Sequence, residues 1–136
     1  MTATPSLEGK RILITGGSAG IGLATAKMLK DRGARIALVA RTEGRLKAAA
    51  EHLAAACVVG DVGDESEVMR IVKEAADALG GLDGVINNAA VYYGRPIESL
   101  SGASFRRLLD VNVVGAAMVT REALPYLRHS GSGDIV

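Results

Sequence analysis

The sequence is poor in several things at once. It holds one cysteine, no tryptophan, three tyrosines and one phenylalanine, and its 16 Lys+Arg are set against 15 Asp+Glu. A single cysteine, Cys57, cannot close an internal disulfide. Set in the apolar run "CVV", it reads as a buried, inert thiol in keeping with a reducing cytoplasm. A net charge of +1 and four aromatic residues leave no basic stripe and little to stack on bases, which argues against nucleic acid as a partner. No apolar run approaches the roughly 18 residues of a membrane span, and the opening "MTATPSLEGKR" has no apolar stretch. The chain therefore reads as soluble and cytoplasmic, with no membrane partner. What it has in quantity is core material: 49% hydrophobic residues in 136, the size of one ordinary domain.

That material comes in a repeating order. Short continuous apolar runs, "RILIT" (11–15), "RIALVA" (35–40), "ACVVG" (56–60) and "GVIN" (84–87), are each followed by a longer stretch with helical period. Continuous rather than alternating runs are expected of parallel strands covered on both faces. The strongest helix is 64–80, where Val68, Ile71, Val72, Ala75 and Leu79 recur at helical spacing before Gly80-Gly81. The segments 20–32 and 44–55 read likewise, and a long helix runs from Ser101 as N-cap to His129, with a bend expected at Gly115. "DIV" at the end opens a fifth strand. The pairs do not repeat one another as a solenoid would. Strand alternating with helix implies right-handed crossovers and an α/β, doubly wound parallel sheet of Rossmann type.

The first strand runs into "ITGGSAGIG", with glycines at 16, 20 and 22. Glycines permit a tight turn and close backbone approach, and the helix behind them offers unpaired N–H groups and a positive dipole end to an anion. A pyrophosphate suits such a loop; a plain strand-to-helix turn is the alternative. Nucleotide hydrolysis is disfavoured, because Gly17 and Gly22 have the spacing of a P-loop but are followed by Leu23 and Ala24 rather than by lysine and a hydroxyl residue. Ser18 is placed to hydrogen-bond a phosphate, with no histidine nearby to make it a nucleophile. An NAD site places an acid after the second strand for the ribose 2′-hydroxyl. Here stand Ala40 and Arg41, and a guanidinium pairs with a 2′-phosphate, so NADP is preferred to NAD unless Arg41 is a solvated loop charge.

On these motifs the chain resembles the short-chain dehydrogenase/reductase family from Lys10 to Val136. "TGGSAGIG" (15–22) is similar to the family's cofactor loop, which brings Gly16, Ser18, Ala19, Gly20, Ile21 and Gly22 to the cofactor. "GDV" (60–62) resembles the strand end where Asp61 would meet the adenine amino group and Val62 its ring. "NNAA" (87–90) is similar to the family's Asn-Asn-Ala-Gly, implying Asn88, Ala89 and Ala90 beside the cofactor, with Ala90 in place of a glycine. "DVNVVG" (110–115) resembles the segment whose asparagine belongs to the catalytic tetrad, so Asn112 would take that role through its backbone carbonyl and a water. From spacing alone, Asn112 shares a face with Leu108, Gly115 and Val119, and a buried asparagine satisfying nearby backbone is the other reading. The resemblance implies an NADP(H)-dependent oxidoreductase moving hydride between the cofactor and a ketone or secondary alcohol.

Such chemistry needs a proton donor at the alkoxide, in the family a tyrosine four residues before a lysine with a serine upstream. Tyrosines stand only at 92, 93 and 126, none with a lysine four residues on, and Lys73 is the last lysine. The 136 residues are thus expected to form one dinucleotide-binding domain, incomplete at its C-terminus at the start of the fifth strand and inactive by itself. A binding-only NADP module or an inactive fragment is the alternative. Tyr92, Tyr93 and Arg95 line either a substrate pocket or a surface loop; His52 and His129 read as helix-end cations. The resemblance further implies a homo-oligomer, dimer or tetramer. A fourth strand left largely unpaired at its edge points to association too.

Overall fold

The computed structural model describes residues 6–136. Residues 1–5, read above for the lack of an apolar stretch, lie outside them. The elements follow in the order β1 (Arg11–Thr15), α1 (Gly20–Lys30), β2 (Arg35–Ala40), α2 (Glu43–Leu53), β3 (Ala56–Val59), α3 (Glu65–Leu79), β4 (Gly84–Ile86), α4 (Gly102–Leu109), α5 (Ala116–Ser130) and β5 (Asp134–Ile135). A 3-10 turn, Ile97–Ser99, precedes α4, and a π-helical turn, Asp110–Gly115, joins α4 to α5. The strands form one parallel sheet in the order β3-β2-β1-β4-β5. The fold is a doubly wound, Rossmann-type sheet, as the strand–helix alternation predicts. Among the described residues no helix is long and apolar enough to cross a membrane.

Successive side chains of a strand point to opposite faces, and at β1 and β2 both faces are covered. Ile12 and Ile14 of β1, with Ile36 and Leu38 of β2, pack with Ala26 of α1 and Leu46, Ala49, Ala50 and Leu53 of α2. Leu13, Ala37, Val39 and Val85 face the other way, onto Val68, Ile71, Val72 and Leu79 of α3 and Val119, Ala123 and Leu127 of α5. Cys57 departs from expectation: it is half-buried, because β3 is an edge strand and has a neighbour on one side only.

The edge of β4 also differs from the sequence reading. The strand is three residues long, and Gly84 and Val85 pair with Asp134 and Ile135. The amide of Asn87 continues the ladder to the Val136 carbonyl at 2.8 Å. A strand this short needs only a short partner, so its edge is mostly satisfied, and among the described residues the open edges are those of β3 and β5. The bend expected at Gly115 is instead the π turn that ends there. Gly115 lies where a Cβ would come within 2.7 Å of the Val62 carbonyl oxygen, which seats the turn against the loop after β3.

One ion pair ties the start of β1 to the loop before β4. Asp83 Oδ2 accepts from the Arg11 amide at 2.9 Å and from Arg11 Nε at 2.8 Å, and Oδ1 accepts from Nη2 at 3.0 Å. The hydrogen bonds from the Arg11 side chain are the main cause that holds the Asp83 carboxyl at about 2, below its ordinary 3.8. A depressed carboxylate pKa contributes stability that is present above the unfolded value and lost as pH falls through the folded one. Partial screening by solvent leaves about 1–2 kcal/mol of that contribution. Asp83→Asn is therefore expected to lower urea stability by this amount at pH 6, and the gap to the wild type should close between pH 4 and pH 2. A gap that persists unchanged at pH 2 would contradict the assignment.

Candidate functional site

Strand β1 has β2 on one side and β4 on the other, so the connections leaving β1 and β4 part in opposite directions and open a crevice at the strand ends. The two loops are stitched together beneath it. The buried Thr15 hydroxyl accepts from the amides of Asn88 at 3.1 Å and Ala89 at 3.0 Å. In return Asn88 Nδ2 donates to the carbonyls of Thr15 and Gly16, each at 3.1 Å. Gly16 sits at φ +68°, and a Cβ at Gly22 would run into the Gly16 carbonyl oxygen and Asn88 Nδ2. The glycine spacing read in the sequence is thus a close crossing of loop, helix and the β4 connection.

Helix α1 starts above this crossing without a cap of its own. Its N-cap, Ala19, has no side chain able to accept a bond, and the first turn carries no acid. Helix α2 also lacks a side-chain cap bond from its N-cap, Thr42, although its first turn carries Glu43. By contrast, Asp64 accepts from the Ser66 amide at α3, and Ser101 accepts from the Ser104 amide at 3.0 Å at α4, as expected for its N-cap. The uncapped N-termini of α1 and α2 both border the crevice, where an anionic ligand can take the place of the missing cap. Ile21, in the first turn of α1, is 79% exposed.

The crevice is a cleft of about 260 Å³ whose lining includes Gly16 and Ser18. Arg41, Thr42 and Arg45 stand at the β2–α2 junction, Gly60, Asp61 and Val62 follow β3, and Ala90, Val91 and Val111 close the side toward β4 and the π turn. Among the described residues neither Arg41 nor Arg45 belongs to an ion pair. Ala40 stands ahead of them, so no carboxylate occupies that position. Ala90 is exposed in the cleft wall and its φ is not positive, so the alanine is held without left-handed strain. Asn88 and Ala89 hold the two loops together through their bonds to Thr15 and Gly16.

Asn112 lies in the π turn, half-buried, with both side-chain atoms engaged: Oδ1 accepts from the Val91 amide at 2.8 Å and Nδ2 donates to the Val91 carbonyl at 3.0 Å. The side chain fastens the connection after β4 to the long helical arm, which leaves the Asn112 backbone for any part in chemistry. π turns interrupt the regular i→i−4 ladder and recur at functional sites. Tyr92, Tyr93 and Arg95 do not line the cleft, and His52 and His129 sit in the last turns of α2 and α5.

Sequence reasoning passed over Thr42, Arg45, Val91 and Val111. Arg45 had a signal, a second arginine one helical turn after Arg41; Val111 had none, since only the packing of the π turn brings it to the β3 end.

The comparisons with known proteins agree with this geometry. The family model described as short chain dehydrogenase matches residues 10–136. Glucose 1-dehydrogenase of Gluconobacter oxydans is 36% identical over 135 residues, covering 94% of this chain and 51% of that protein. The crystal structure of L-sorbose reductase from Gluconobacter frateurii, complexed with NADPH and L-sorbose, superposes with a TM-score of 0.90 at 32% identity, covering 96% of this chain and 52% of that one. A short chain dehydrogenase from Burkholderia cenocepacia J2315 in complex with NADP gives a TM-score of 0.85 at 32% identity, covering 90% and 53%. The chain spans about half the length of the curated relatives it matches. With fold, loop and family match in agreement, the chain belongs to the short-chain dehydrogenase family.

Proposed function

We propose that the chain is the NADP(H)-binding part of an oxidoreductase that interconverts a ketone and a secondary alcohol. The observation that carries this reading is the pair of guanidiniums, Arg41 and Arg45, without ion-pair partners among the described residues, in the same cleft as an uncapped glycine loop. Two cations and an N–H cradle lining one cleft suit a dinucleotide bearing a 2′-phosphate, and the absence of a carboxylate at Ala40 removes the group that would repel it. The amides at the start of α1 take the pyrophosphate, Asp61 stands where a base would end, and Val62 and Val111 supply its apolar bed. Asn88 and Asn112 keep the two loops at the switch point from moving apart. The cofactor, when bound, supplies or accepts the hydride. Neighbours solved with NADP and NADPH, and relatives named as dehydrogenases or a reductase of sugars, support the same chemistry.

Taken alone, these 136 residues hold no Tyr-x3-Lys pair and are proposed to bind without turnover. Self-association is part of the reading: Phe105, Leu109 and Val113 recur every four residues and are 42%, 48% and 57% exposed. Titration of the purified chain, followed by nicotinamide fluorescence, is expected to show NADPH binding at least about tenfold tighter than NADH. No ketone-dependent loss of NADPH should accompany it. Equal affinities would overturn the NADP preference, and turnover would overturn the binding-only clause.

A further inference from the structure

Asp61 is unusual in the cleft because its carboxylate is already held. Its amide donates to Glu67 Oε2 at 3.1 Å, Oδ1 accepts from the Gly63 amide at 2.9 Å, and Oδ2 accepts from Arg107 Nη2 at 2.6 Å. Arg107 comes from α4, 46 residues away in sequence, and both partners are about one quarter exposed. Its guanidinium lies over Gly63, where a Cβ would come within 2.6 Å of Arg107 Nη1. Two donors of fixed direction thus orient one carboxylate. Each of its oxygens keeps a second lone pair, and the group faces a cleft whose neighbouring wall is Val62 and Val111.

We infer that Arg107 is a positioning residue for base selection: it holds Asp61 as an oriented acceptor that favours a ring carrying an exocyclic amino group over one carrying a carbonyl. The inference rests on the dinucleotide reading above. An amino group donates to a carboxylate, whereas a carbonyl oxygen at the same ring position meets it lone pair to lone pair. Charge alone would not give this selection, since a freely rotating carboxylate can turn its oxygens away from the carbonyl. Arg107 also neutralises Asp61, so the carboxylate does not repel the phosphates nearby.

The test compares NADPH with its reduced hypoxanthine analogue, which differs at that ring position, both followed by nicotinamide fluorescence on the purified chain. The wild type is expected to bind NADPH about tenfold more tightly than the analogue. In Arg107→Met the ratio should fall to near one, chiefly through weaker NADPH binding, while Arg107→Lys should restore part of it. Asp61→Asn, which keeps Arg107 and adds a donor, should also bring the ratio to one or below; it serves if Arg107→Met fails to fold by circular dichroism. A wild type without preference overturns the inference. So does an Arg107→Met that weakens both ligands equally, the signature of a strut between α4 and the β3 loop. A wild type that binds neither ligand overturns the dinucleotide reading itself, and the inference with it.

Discussion

Gly22→Val is expected to leave the chain without measurable NADPH binding and to lower its unfolding free energy by about 3 kcal/mol, the upper part of the range for overpacking. The added atoms meet the Gly16 carbonyl oxygen and the Asn88 side-chain amide, neither of which can move freely. Gly16 is at the bend out of β1, and Asn88 is fixed by its bonds to Thr15 and Gly16 and by its own amide on the Thr15 hydroxyl. Relief has to come from lifting α1 off the sheet, which moves its uncapped N-terminus away from the cleft. Both losses therefore share one cause. Gly44→Ala in α2 is the control, since its Cβ has nothing within 4 Å. In that open helical position alanine is expected to stabilise by about 0.5–1 kcal/mol with binding unchanged. Urea unfolding and nicotinamide fluorescence read both quantities, and a Gly22→Val chain that binds normally would remove the crossing from the account of the site.

How much of this was legible beforehand varies from element to element. The strand runs 11–15 and 35–40 are β1 and β2 to the residue, because buried parallel strands leave an unbroken apolar signature. Helix 64–80 is α3, trimmed at each end to Glu65–Leu79 by the Asp64 cap and by Gly80 at φ +78°. The sequence pattern from Ser101 to His129 reads as one bent helix. The chain stays helical through the π turn, so nothing in the sequence pattern marks an end between α4 and α5, and Pro125 sits inside α5 without ending it. In the site, the glycine loop was legible because its parts are contiguous. Arg45, Val111 and the Arg107–Asp61 pair were not, since the topology alone brings them together from α2, the π turn, α4 and the β3 end. Asn112 stood out as polar on an apolar face, and the structure supplies the reason in its two bonds to Val91.

Arg41→Asp is expected to reverse the cofactor preference, lowering NADPH affinity by about a thousandfold while NADH affinity holds or rises. Removing a guanidinium from a phosphate costs about 1.5–3 kcal/mol as a lost charge-assisted bond. Placing a carboxylate at the same point adds like-charge repulsion in a partly enclosed cleft, which brings the total near 4 kcal/mol. For NADH the same carboxylate can accept from the ribose 2′-hydroxyl, so the substitution supplies a partner instead of removing one. Arg45 limits the effect without cancelling it: it lines the same end of the cleft and remains to hold part of the phosphate charge, so Arg41→Ala alone should cost less than Arg41→Asp. The salt dependence separates charge from shape. NADPH binding to the wild type should weaken as ionic strength rises, while NADH binding to Arg41→Asp should change little over the same range. Unchanged preference in Arg41→Asp would place Arg41 in solvent and leave the 2′-phosphate without its first partner.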